Sequence, residues 1–381
     1  MKVRIGVLDR SQQEKGMVGR LDGGEADFGV ADSYYRKLAA AARNADAEVA
    51  VISPMELDVR AGKAQGYVLD DEGKWRRREL DLPDVFYDRM TGGRHPNPVV
   101  RSTLMAVERE LAERRPFVNP LPLRELSWDK LRVYSFLAGI GLGSEGDVRV
   151  AETLPFSLDA VGDLMDKYGS VVLKPRFGQR GVGVAGIRRT DEGFEVRYRR
   201  ESWRFSQDRL GEAVEHAMNV SAVEGEEYIV QQAIDVATVD GRTPDVRVLY
   251  QRDGEGRVNV LAAFGRLGAE GKIVSNAARG GDEVVLDRVL DAFGDDAFLR
   301  AKASGNVFLG ANMVVDEIQT LLGSFGQVAV DGLLDKQGNF YVNEITAVPF
   351  VGLSLGGRDL GGIAAEQVVG FALRISGRKQ E

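Results

Sequence analysis

Residues 327–345 read Gln-Val-Ala-Val-Asp-Gly-Leu-Leu-Asp-Lys-Gln-Gly-Asn-Phe-Tyr-Val-Asn-Glu-Ile, and this stretch predicts two β-strands joined by a tight turn. We predict a hairpin whose two-residue turn is centred on Gln337-Gly338. In such a hairpin Asp331 lies directly opposite Glu344, and opposed residues have Cβ atoms roughly 4.5–5.5 Å apart on one face of the sheet. The stretch therefore predicts two neighbouring carboxylates.

Two opposed carboxylates repel each other unless a positive charge compensates them, and a divalent cation is the obvious candidate. Thr346 shares a face with Glu344 because side chains alternate along a strand, so its hydroxyl is a third candidate ligand. Oxygen ligands suit Mg²⁺, which binds a few carboxylates and completes its shell with phosphates and water. The alternative is an exposed hairpin edge whose like charges point apart. The apolar residues between the two carboxylates favour the metal site.

A second informative stretch is an apolar strand that ends in a lysine and runs into a glycine-rich loop. Residues 171–184 place Gly178, Gly181 and Gly183 after Lys174. Glycines let backbone N–H groups approach an anion, and lysine supplies a point charge for phosphate. The alternative is an ordinary glycine-rich hairpin, and no Walker A motif is present because no Gly-Lys-Ser/Thr follows. Combined with the carboxylate pair downstream, the stretch favours an ATP site.

Composition excludes several other kinds of chemistry. The chain has 381 residues, a formal net charge of −8, no cysteine and only two histidines, His95 and His216. Disulfides, thiolate catalysis and cysteine-ligated zinc are therefore excluded, and a Ser-His-Asp triad is disfavoured. The acidic balance argues against sequence-independent nucleic-acid binding. No apolar run approaches the ~20 residues that span a bilayer, so we expect a cytoplasmic protein that binds neither nucleic acid nor membrane.

The order of the predicted elements indicates an α/β protein. A strand at 3–8, a helix from Asp32 and a strand at 48–52 that ends at Pro54 predict a parallel β-α-β unit. Prolines between 116 and 122 mark a domain boundary. The further predicted strands are 66–69, 84–88, 170–175, 227–232, 246–251, 258–266, 327–334 and 339–345, and the further predicted helices are 99–113, 128–139 and 158–168.

These motifs together resemble the ATP-grasp superfamily, and specifically its spore-coat-associated YheC/YheD-like branch. The resemblance covers most of the chain and implies ATP and Mg²⁺ as cofactors. It implies an α/β fold (α+β lobes) with an N-terminal parallel α/β pre-grasp domain at 1–120. A two-lobed ATP-grasp domain follows, with a small lobe at 121–226 that carries the lysine and glycine-rich loop and a C-terminal lobe at 227–381 that carries the metal site.

The resemblance also implies roles for individual residues. The implied cofactor-binding residues are Lys130, Lys174, Gly178, Gly181 and Gly183 for phosphate, Gln231, Gln232, Ala233 and Ile234 for adenine, and Asp245 for ribose. The implied catalytic residues, near phosphate or the reacting acyl group, are Arg247, Arg266, Asn276, Gly280 and Gly281. The implied metal ligands are Asp331, Glu344 and Thr346. The family's usual ending is Glu-x-Asn, and here Thr346 stands in place of the longer asparagine.

The implied function is that of an ATP-dependent carboxylate–amine ligase, which forms amide or peptide bonds through an acyl phosphate. Its substrates would be small-molecule or peptide carboxylates and amines. One alternative is a nucleotide-binding, spore-coat-associated structural protein with little turnover, which the departure at Thr346 permits. Another is a small-molecule kinase, in which the chemistry ends at phosphoryl transfer. The sequence leaves the oligomeric state open, including a homo-oligomer.

The segment from Leu82 to Arg89 resembles the strand that the branch carries in its pre-grasp domain. Its last residue, Arg89, has two interpretations. It is either a substrate contact from the first domain or one half of a structural ion pair with Asp88 or Asp84.

Overall fold

The computed structural model describes residues 2–9, 26, 28–90, 98–178, 181–268, 282–349, 354–355 and 357–377. Three predicted site residues, Asn276, Gly280 and Gly281, lie outside the described residues. Within the described ranges, no helix combines the length and the apolar character needed to cross a membrane.

The first domain is built on a sheet with the strand order β4-β3-β2-β1-β5. β1 is parallel to β2 and to β5, which confirms the predicted β-α-β unit, whereas β3 and β4 are antiparallel additions. β4 carries Arg76, Arg77 and Arg78 on an exposed edge, where charge blocks pairing with other chains. The elements are β1 (Val3–Leu8), α1 (Asp32–Asn44), β2 (Ala47–Asp58), β3 (Lys63–Leu69), β4 (Trp75–Asp81), β5 (Val85–Asp88) and α2 (Pro98–Arg114), with a 3-10 turn at Gly29–Ala31.

The predicted end of β2 at Pro54 is wrong, because the strand continues to Asp58. The pairing of β2 with β3 is interrupted between Ile52 and Leu57. A proline is tolerated at such an irregularity because its missing N–H leaves no ladder hydrogen bond unmade.

The second sheet, with the order β11-β10-β9-β8-β12-β7, forms a middle lobe together with helices α5 and α6. The structure confirms the predicted helix at 158–168 as α5, which Ser157 caps and after which Gly169 adopts a left-handed conformation. Asp129 separates α3 from α4 and caps α4, the predicted helix near 128–139. The elements from here to the end of the lobe are α3 (Leu121–Trp128), α4 (Lys130–Gly139), β6 (Val148–Val150), β7 (Thr153–Pro155), α5 (Leu158–Tyr168), β8 (Ser170–Pro175), β9 (Ala185–Thr190), β10 (Gly193–Tyr198), β11 (Glu201–Phe205), α6 (Leu210–Ser221) and β12 (Tyr228–Gln232).

The third sheet has the order β15-β14-β13-β16-β17-β6 and forms the carboxyl-terminal lobe. β6 joins it by pairing in parallel with β17, and α3 and α4 pack into its core. The remaining elements are β13 (Pro244–Arg252), β14 (Val258–Leu267), β15 (Asp282–Val285), α7 (Leu286–Leu290), a 3-10 turn (Asp291–Phe293), α8 (Ala297–Leu322), β16 (Gln327–Leu334), β17 (Phe340–Thr346), β18 (Ser354–Leu355), β19 (Arg358–Asp359) and α9 (Leu360–Ile375).

The β16–β17 hairpin confirms the predicted pair but not the predicted turn. Asp331 lies opposite Glu344. The predicted two-residue turn is wrong, because Asp335 and Asn339 close a three-residue connection in which Gly338 has φ +74°. The three-residue connection shifts the pairing of the two strands by one residue from the predicted register. An extra residue in β17, Asn343, restores the predicted register before the strands reach Asp331.

The buried apolar residues of the described chain fall into three main cores. One fills the carboxyl-terminal lobe, and a second fills the middle lobe. The third unites the first domain with α9 and with the opposite face of the third sheet, where Leu249, Leu261 and Ala329 contribute. Asn119 joins the same parts through polar contacts, since its Oδ1 accepts from the Gly326 and Gln327 amides at 3.0 and 2.9 Å. In this arrangement the lysine of β8 lies on the side of the middle lobe that faces the β16–β17 hairpin.

Candidate active site

Lys174 lies at the end of β8, where the middle lobe faces the carboxyl-terminal lobe. Its side chain is 8% exposed, and Nζ donates to the Tyr134 hydroxyl at 2.8 Å and to Gln231 Oε1 at 2.7 Å. Burial lowers the pKa of Lys174 to about 8, because the charged form loses its hydration. The strand thus holds a desolvated cation in the cleft between the lobes, which is an arrangement suited to an anionic ligand.

Lys130, the first residue of α4, lies beside Lys174. Its Nζ donates to the carbonyl of Gly178 and its amide donates to the Arg176 carbonyl at 3.1 Å. Burial lowers the pKa of Lys130 to about 8, while Glu344 raises that pKa and Lys174 lowers it by smaller amounts. The structure therefore brings together both predicted lysines and the predicted carboxylate Glu344.

The loop after β8 approaches its neighbours too closely for side chains. Gly183 has φ +74°, and a Cβ placed on it would lie 2.6 Å from the Tyr228 hydroxyl and 2.8 Å from Pro175 Cγ. Gly178 is similarly close to Pro175, and Gly181 also has positive φ. The glycines at these positions let the described part of the loop fold back beside the two lysines.

The end of β12 supplies backbone groups on the other side of Lys174. The Ala233 amide donates to the Ser170 carbonyl at 3.1 Å, so it is not available to a ligand. The Glu152 amide lies opposite Gln232 but donates to the Gln232 side chain, at 3.4 Å. The Gln232 carbonyl therefore receives no hydrogen bond from this amide. The Ile234 amide has no acceptor among the described residues. An adenine-like edge, which offers one donor and one acceptor, matches this remaining pair of backbone groups.

A network of two arginines and two aspartates covers the sheet face beside the hairpin. Arg247 binds Asp331 through Nε and Nη2 at 2.7 and 2.6 Å, and Arg266 binds Asp245 in the same way at the same distances. Arg266 also reaches Asp331 at 3.0 Å. Burial raises the pKa of Asp331, but Arg247 and Arg266 outweigh it and hold that pKa below its ordinary value. Asp331 is therefore a buried carboxylate that arginines compensate.

Sequence analysis had assigned these four residues separate roles and had missed their mutual pairing. The cross-strand partners are Asp245 with Arg266 and Arg247 with Asp331. The alternation of Asp245 and Arg247 along β13 was a usable signal, since both side chains share one face. What the sequence did not show was the order of strands that places β13 between β14 and β16.

The oxygen donors of the hairpin fit a hard cation in part. Glu344 is half-buried, and its carboxylate makes no hydrogen bond or ion pair with any described residue. Thr346 follows on the same face, whereas both oxygens of Asp331 are already engaged by arginine. No group of three or more histidine, cysteine or acidic residues is arranged for a metal among the described residues. One open carboxylate with a hydroxyl suits Mg²⁺ that arrives with phosphate oxygens, since Mg²⁺ commonly uses only one or two carboxylates.

Tyr134 and Asn343 are functional candidates that sequence analysis missed. The Tyr134 hydroxyl lies 2.8 Å from the Asn343 carbonyl and 3.0 Å from its side-chain oxygen, and it accepts from Lys174. It thus connects the lysine of the middle lobe to the bulge beside Glu344. Tyr134 lies four residues after Lys130 on α4, and this i, i+4 spacing was the available signal.

Comparison with known proteins identifies the fold around this site. A family model described as YheC/D like ATP-grasp matches residues 124–355. The endospore coat-associated protein YheD of Bacillus subtilis is 22% identical over 335 residues, which are 85% of this chain and 69% of that protein. The match at 124–355 contains both lysines, the arginine network and the hairpin.

Solved structures with the same architecture are synthetases and ligases. The D-cycloserine synthetase DcsG has a TM-score of 0.55 and 15% identity, with 96% of this chain and 99% of that chain covered. D-alanyl-alanine synthetase A from Vibrio cholerae has a TM-score of 0.53 and 14% identity, with 91% and 89% covered. The VanG D-Ala:D-Ser ligase from Enterococcus faecalis has a TM-score of 0.52 and 14% identity, with 99% and 100% covered. At these identities the likeness shows the fold, and the predicted α/β architecture is confirmed. Since the family match spans more than half of the chain, the protein belongs to the YheC/D-like ATP-grasp family.

Proposed function

We propose that this protein is an ATP- and Mg²⁺-dependent carboxylate–amine ligase that forms an amide bond through an acyl phosphate. The observation that carries the proposal is the meeting of the buried Lys174 and the half-buried Lys130, both with a lowered pKa, with the open carboxylate of Glu344. Two desolvated cations beside a carboxylate suit a triphosphate that brings its own Mg²⁺. Membership in an ATP-grasp family supports ATP as the nucleotide.

In this proposal the nucleotide lies between the middle and carboxyl-terminal lobes. Lys130 and Lys174 bind phosphate oxygens, and the loop with Gly178, Gly181 and Gly183 covers them. The Gln232 carbonyl and the Ile234 amide bind the adenine edge, in the interlobe segment from Gln231 through Ala233 to Ile234. Asp245 binds the ribose, because a carboxylate bound by one arginine still has lone pairs for a hydroxyl.

The metal is assigned to the hairpin face. Glu344 and Thr346 would hold Mg²⁺, and Asp331 would add an oxygen through a lone pair that Arg247 and Arg266 leave open. Bound there, Mg²⁺ would neutralise the charge that develops on the phosphate oxygens during transfer.

The residues of the chain then act on two successive steps. The γ-phosphoryl group moves from ATP to a substrate carboxylate oxygen, which yields ADP and an acyl phosphate, while Arg247 neutralises phosphate charge. An amine attacks the acyl carbon, the carbon–oxygen bond to phosphate breaks, phosphate leaves and the amine loses a proton. Arg266 and the segment of Asn276, Gly280 and Gly281 stabilise the oxyanion of the second step.

The test measures ADP and phosphate release with a panel of carboxylates and amines. We expect equimolar ADP and phosphate only when an acid and an amine are both present. Lys174→Met should lose turnover. The control Lys63→Met, which changes an exposed lysine that pairs with Asp81, should keep it. A phosphorylated product without free phosphate would identify a kinase instead. Failure of every acid and amine to release ADP would contradict a ligase.

A structural, nucleotide-binding role with little turnover is the second candidate. It is favoured by the two arginines that engage Asp331 and by Thr346 at the position of the family's asparagine. The relative YheD is itself named as coat-associated. A large gain of Mg²⁺-dependent turnover in Thr346→Asn would support this candidate, because it would indicate that the natural site has lost a ligand.

A further inference from the structure

Arg89, the residue after β5, is a buried cation in the first domain. It is 8% exposed, and its Nη1 donates to the Pro349 carbonyl at 2.8 Å, the Tyr87 hydroxyl at 3.3 Å and Gln327 Oε1 at 3.4 Å. Its guanidinium also lies over the rings of Tyr34 and Tyr87, at 5.5 and 5.4 Å from their centroids. Each of these hydrogen-bond acceptors and rings is neutral. Arg89 influences a carboxylate, Asp88, only as a longer-range charge that acts to lower its pKa, which burial raises.

The structure does not contain the ion pair that the sequence offered as one interpretation of Arg89. Asp88 pairs with Arg124 at 2.6 Å, and Asp84 accepts from the Arg4 amide at 2.9 Å. No described carboxylate lies within 4 Å of the Arg89 guanidinium. Arginine stays protonated even when buried, and a buried charge without a counter-charge is strongly unfavourable. Arg89 therefore has no ion-pair partner among the described residues, and an anionic ligand would supply one.

The guanidinium leaves one of its two hydrogen-bonding edges open. Nε and Nη2 of Arg89 donate to no described residue, and neither belongs to the fully buried atoms that lack a partner. Nε and Nη2 form the fork that binds a carboxylate through two parallel hydrogen bonds. Three other arginines of this chain bind an aspartate with this same fork, namely Arg176, Arg247 and Arg266.

Arg252 shows what a purely structural buried arginine looks like in this protein. It is also 8% exposed, and it also has only neutral hydrogen-bond acceptors. Its Nε, Nη1 and Nη2 each have an acceptor, at 2.8, 2.6 and 2.7 Å. Neutral acceptors can thus satisfy all three nitrogens of a buried guanidinium, as they do at Arg252. At Arg89 the neutral acceptors bind only Nη1, and Nε and Nη2 stay without an acceptor among the described residues.

Arg89 lies at the topological switch point of the first sheet. β1 is flanked by β2 on one side and by β5 on the other, and both are parallel to it. The two parallel neighbours of β1 thus lie on opposite sides of it, and ligands of open parallel sheets bind outside the carboxyl ends of strands at such a switch point. Asp9 follows β1 there, and the Arg89 amide donates to the Leu8 carbonyl at 2.9 Å.

The same position is connected to the candidate active site through β16 and the segment after β17. Gln327, which accepts a hydrogen bond from Arg89, is the first residue of the strand that carries Asp331. The four residues from Gln327 to Asp331 span about 13 Å. Pro349, the second anchor, follows Thr346 by three residues. Arg89 is therefore anchored to the first strand of the hairpin that carries the candidate metal ligands and to the segment that follows its second strand.

We propose that Arg89 binds a carboxylate of the acceptor substrate at the β1–β5 switch point, and so selects an amino-acid or peptide substrate by its non-reacting carboxylate. The proposal rests on the ligase function and adds a substrate class to it. Arg89 is a specificity residue in this assignment, since the reacting groups lie at the far end of the substrate.

The test titrates the full chain, loaded with Mg²⁺ and a non-hydrolysable ATP analogue, with glycine, D-alanine, L-alanine and L-glutamate and with their amides. We expect at least one acid to bind and its amide to bind roughly 10- to 100-fold more weakly, because a two-bond charged contact is lost. Arg89→Lys and Arg89→Gln should lose the same factor for the acid while they keep the affinity for the ATP analogue. Arg252→Lys, the matched buried control, should keep both affinities.

Several outcomes would overturn the assignment. They are binding of no acid by the natural protein, equal binding of acid and amide, or Arg89 variants with unchanged acid affinity. Loss in these variants of binding to inorganic phosphate, with no effect on any acid, would assign the position to phosphate instead. If the ATP analogue itself fails to bind, the proposed function fails, and titration of the acids without nucleotide still tests Arg89. Should neither Arg89 variant fold, protection of Arg89 from phenylglyoxal by the bound acid, read by mass spectrometry, replaces them, and absence of protection contradicts the proposal.

Discussion

Lys174 shows how a single buried residue prepares a binding site at the expense of stability. Its Nζ has two hydrogen-bond acceptors, Tyr134 and Gln231, but both are neutral. The protonated form is therefore less stable in the folded chain than in water, which the lowered pKa expresses. An anionic ligand would restore the missing counter-charge, so part of its binding free energy comes from relief of this desolvation.

The pH dependence of stability follows from the same shift. The pKa of Lys174 is about 8 in the folded chain and about 10.5 in the unfolded chain, so the unfolded state binds more protons between these values. The free energy of unfolding should therefore rise with pH from about 8 to about 10.5, by on the order of 3 kcal/mol for this lysine. In Lys174→Met this contribution is absent, and denaturant titrations of both proteins at pH 7 and pH 10 measure the difference. A constant difference across that range would contradict the shift.

The charge balance of Asp331 and Glu344 predicts a contrast between two isosteric variants. Asp331→Asn removes the carboxylate that Arg247 and Arg266 share, so it leaves buried guanidinium charge and should lower the free energy of unfolding by about 3–5 kcal/mol. Glu344→Gln removes a carboxylate that makes no hydrogen bond or ion pair with a described residue and should change stability by less than about 1 kcal/mol. Both variants should weaken the Mg²⁺-dependent part of ATP-analogue binding. Equal stability of the two variants, measured by urea unfolding, would argue against the arginine network.

At this scale the sequence predicted residue types better than it predicted their partners. The lysine, the glycines and the two carboxylates were identifiable because each type suits phosphate or a hard cation. The partners Arg247 and Arg266 of Asp331 depend on β13 lying between β14 and β16, and such strand order is set by long-range packing. Arg89 illustrates the same limit, because the sequence alone did not show which groups its guanidinium contacts.

Among the elements, the β16–β17 hairpin is one for which the sequence predicted the right pair of opposed residues with the wrong turn. A left-handed glycine, Gly338, allows the three-residue connection, and nothing in the local sequence fixed that length. The bulge at Asn343 returns the register, and its carbonyl is held by Tyr134 from a distant helix. The local pattern therefore predicted both strands, whereas the bulge required a tertiary contact that the pattern does not contain.

The loop after β8 gives a prediction about glycine. Gly183→Ala places a Cβ 2.6 Å from the Tyr228 hydroxyl at φ +74°, so it should destabilise the protein by about 1–3 kcal/mol and weaken ATP-analogue binding. Gly162→Ala is the matched control, because its Cβ would meet no atom within 4 Å inside helix α5, where alanine is the better helix former. It should be neutral or stabilise by up to about 1 kcal/mol. Thermal unfolding and fluorescence titration measure both effects, and a Gly183 variant that behaves like the Gly162 variant would refute the close approach.

At the scale of the molecule, the cores do not follow the order of the chain. The middle lobe has a core of its own, whereas the first domain shares one core with α9 and the third sheet. The elements α3, α4 and β6 precede the middle lobe in sequence but pack with the carboxyl-terminal lobe. Local hydrophobic periodicity predicted most of these elements, but it carries no information on which elements share a core.

Calorimetry of the whole chain should resolve this division. Without ligand we expect two transitions, one for the middle lobe and one for the first domain together with the carboxyl-terminal lobe. Mg²⁺ with a non-hydrolysable ATP analogue contacts both units in the proposed site, so it should raise the middle-lobe transition and bring the two together. A single ligand-free transition, or a ligand that shifts only one of two, would contradict this picture.

The shared core of β1 and α9 has a consequence for the synthesis of the protein. The helix that covers the first strand is translated almost a whole chain length later, and Lys37 meets Asp359 at 2.6 Å across the same junction. A nascent chain on the ribosome therefore carries β1, α1 and β2 with one apolar face still uncovered while the lobes downstream are being made. The middle lobe, whose apolar core is formed within its own segment, is the part able to fold first, and the core of the amino-terminal domain is completed only once α9 has left the ribosome.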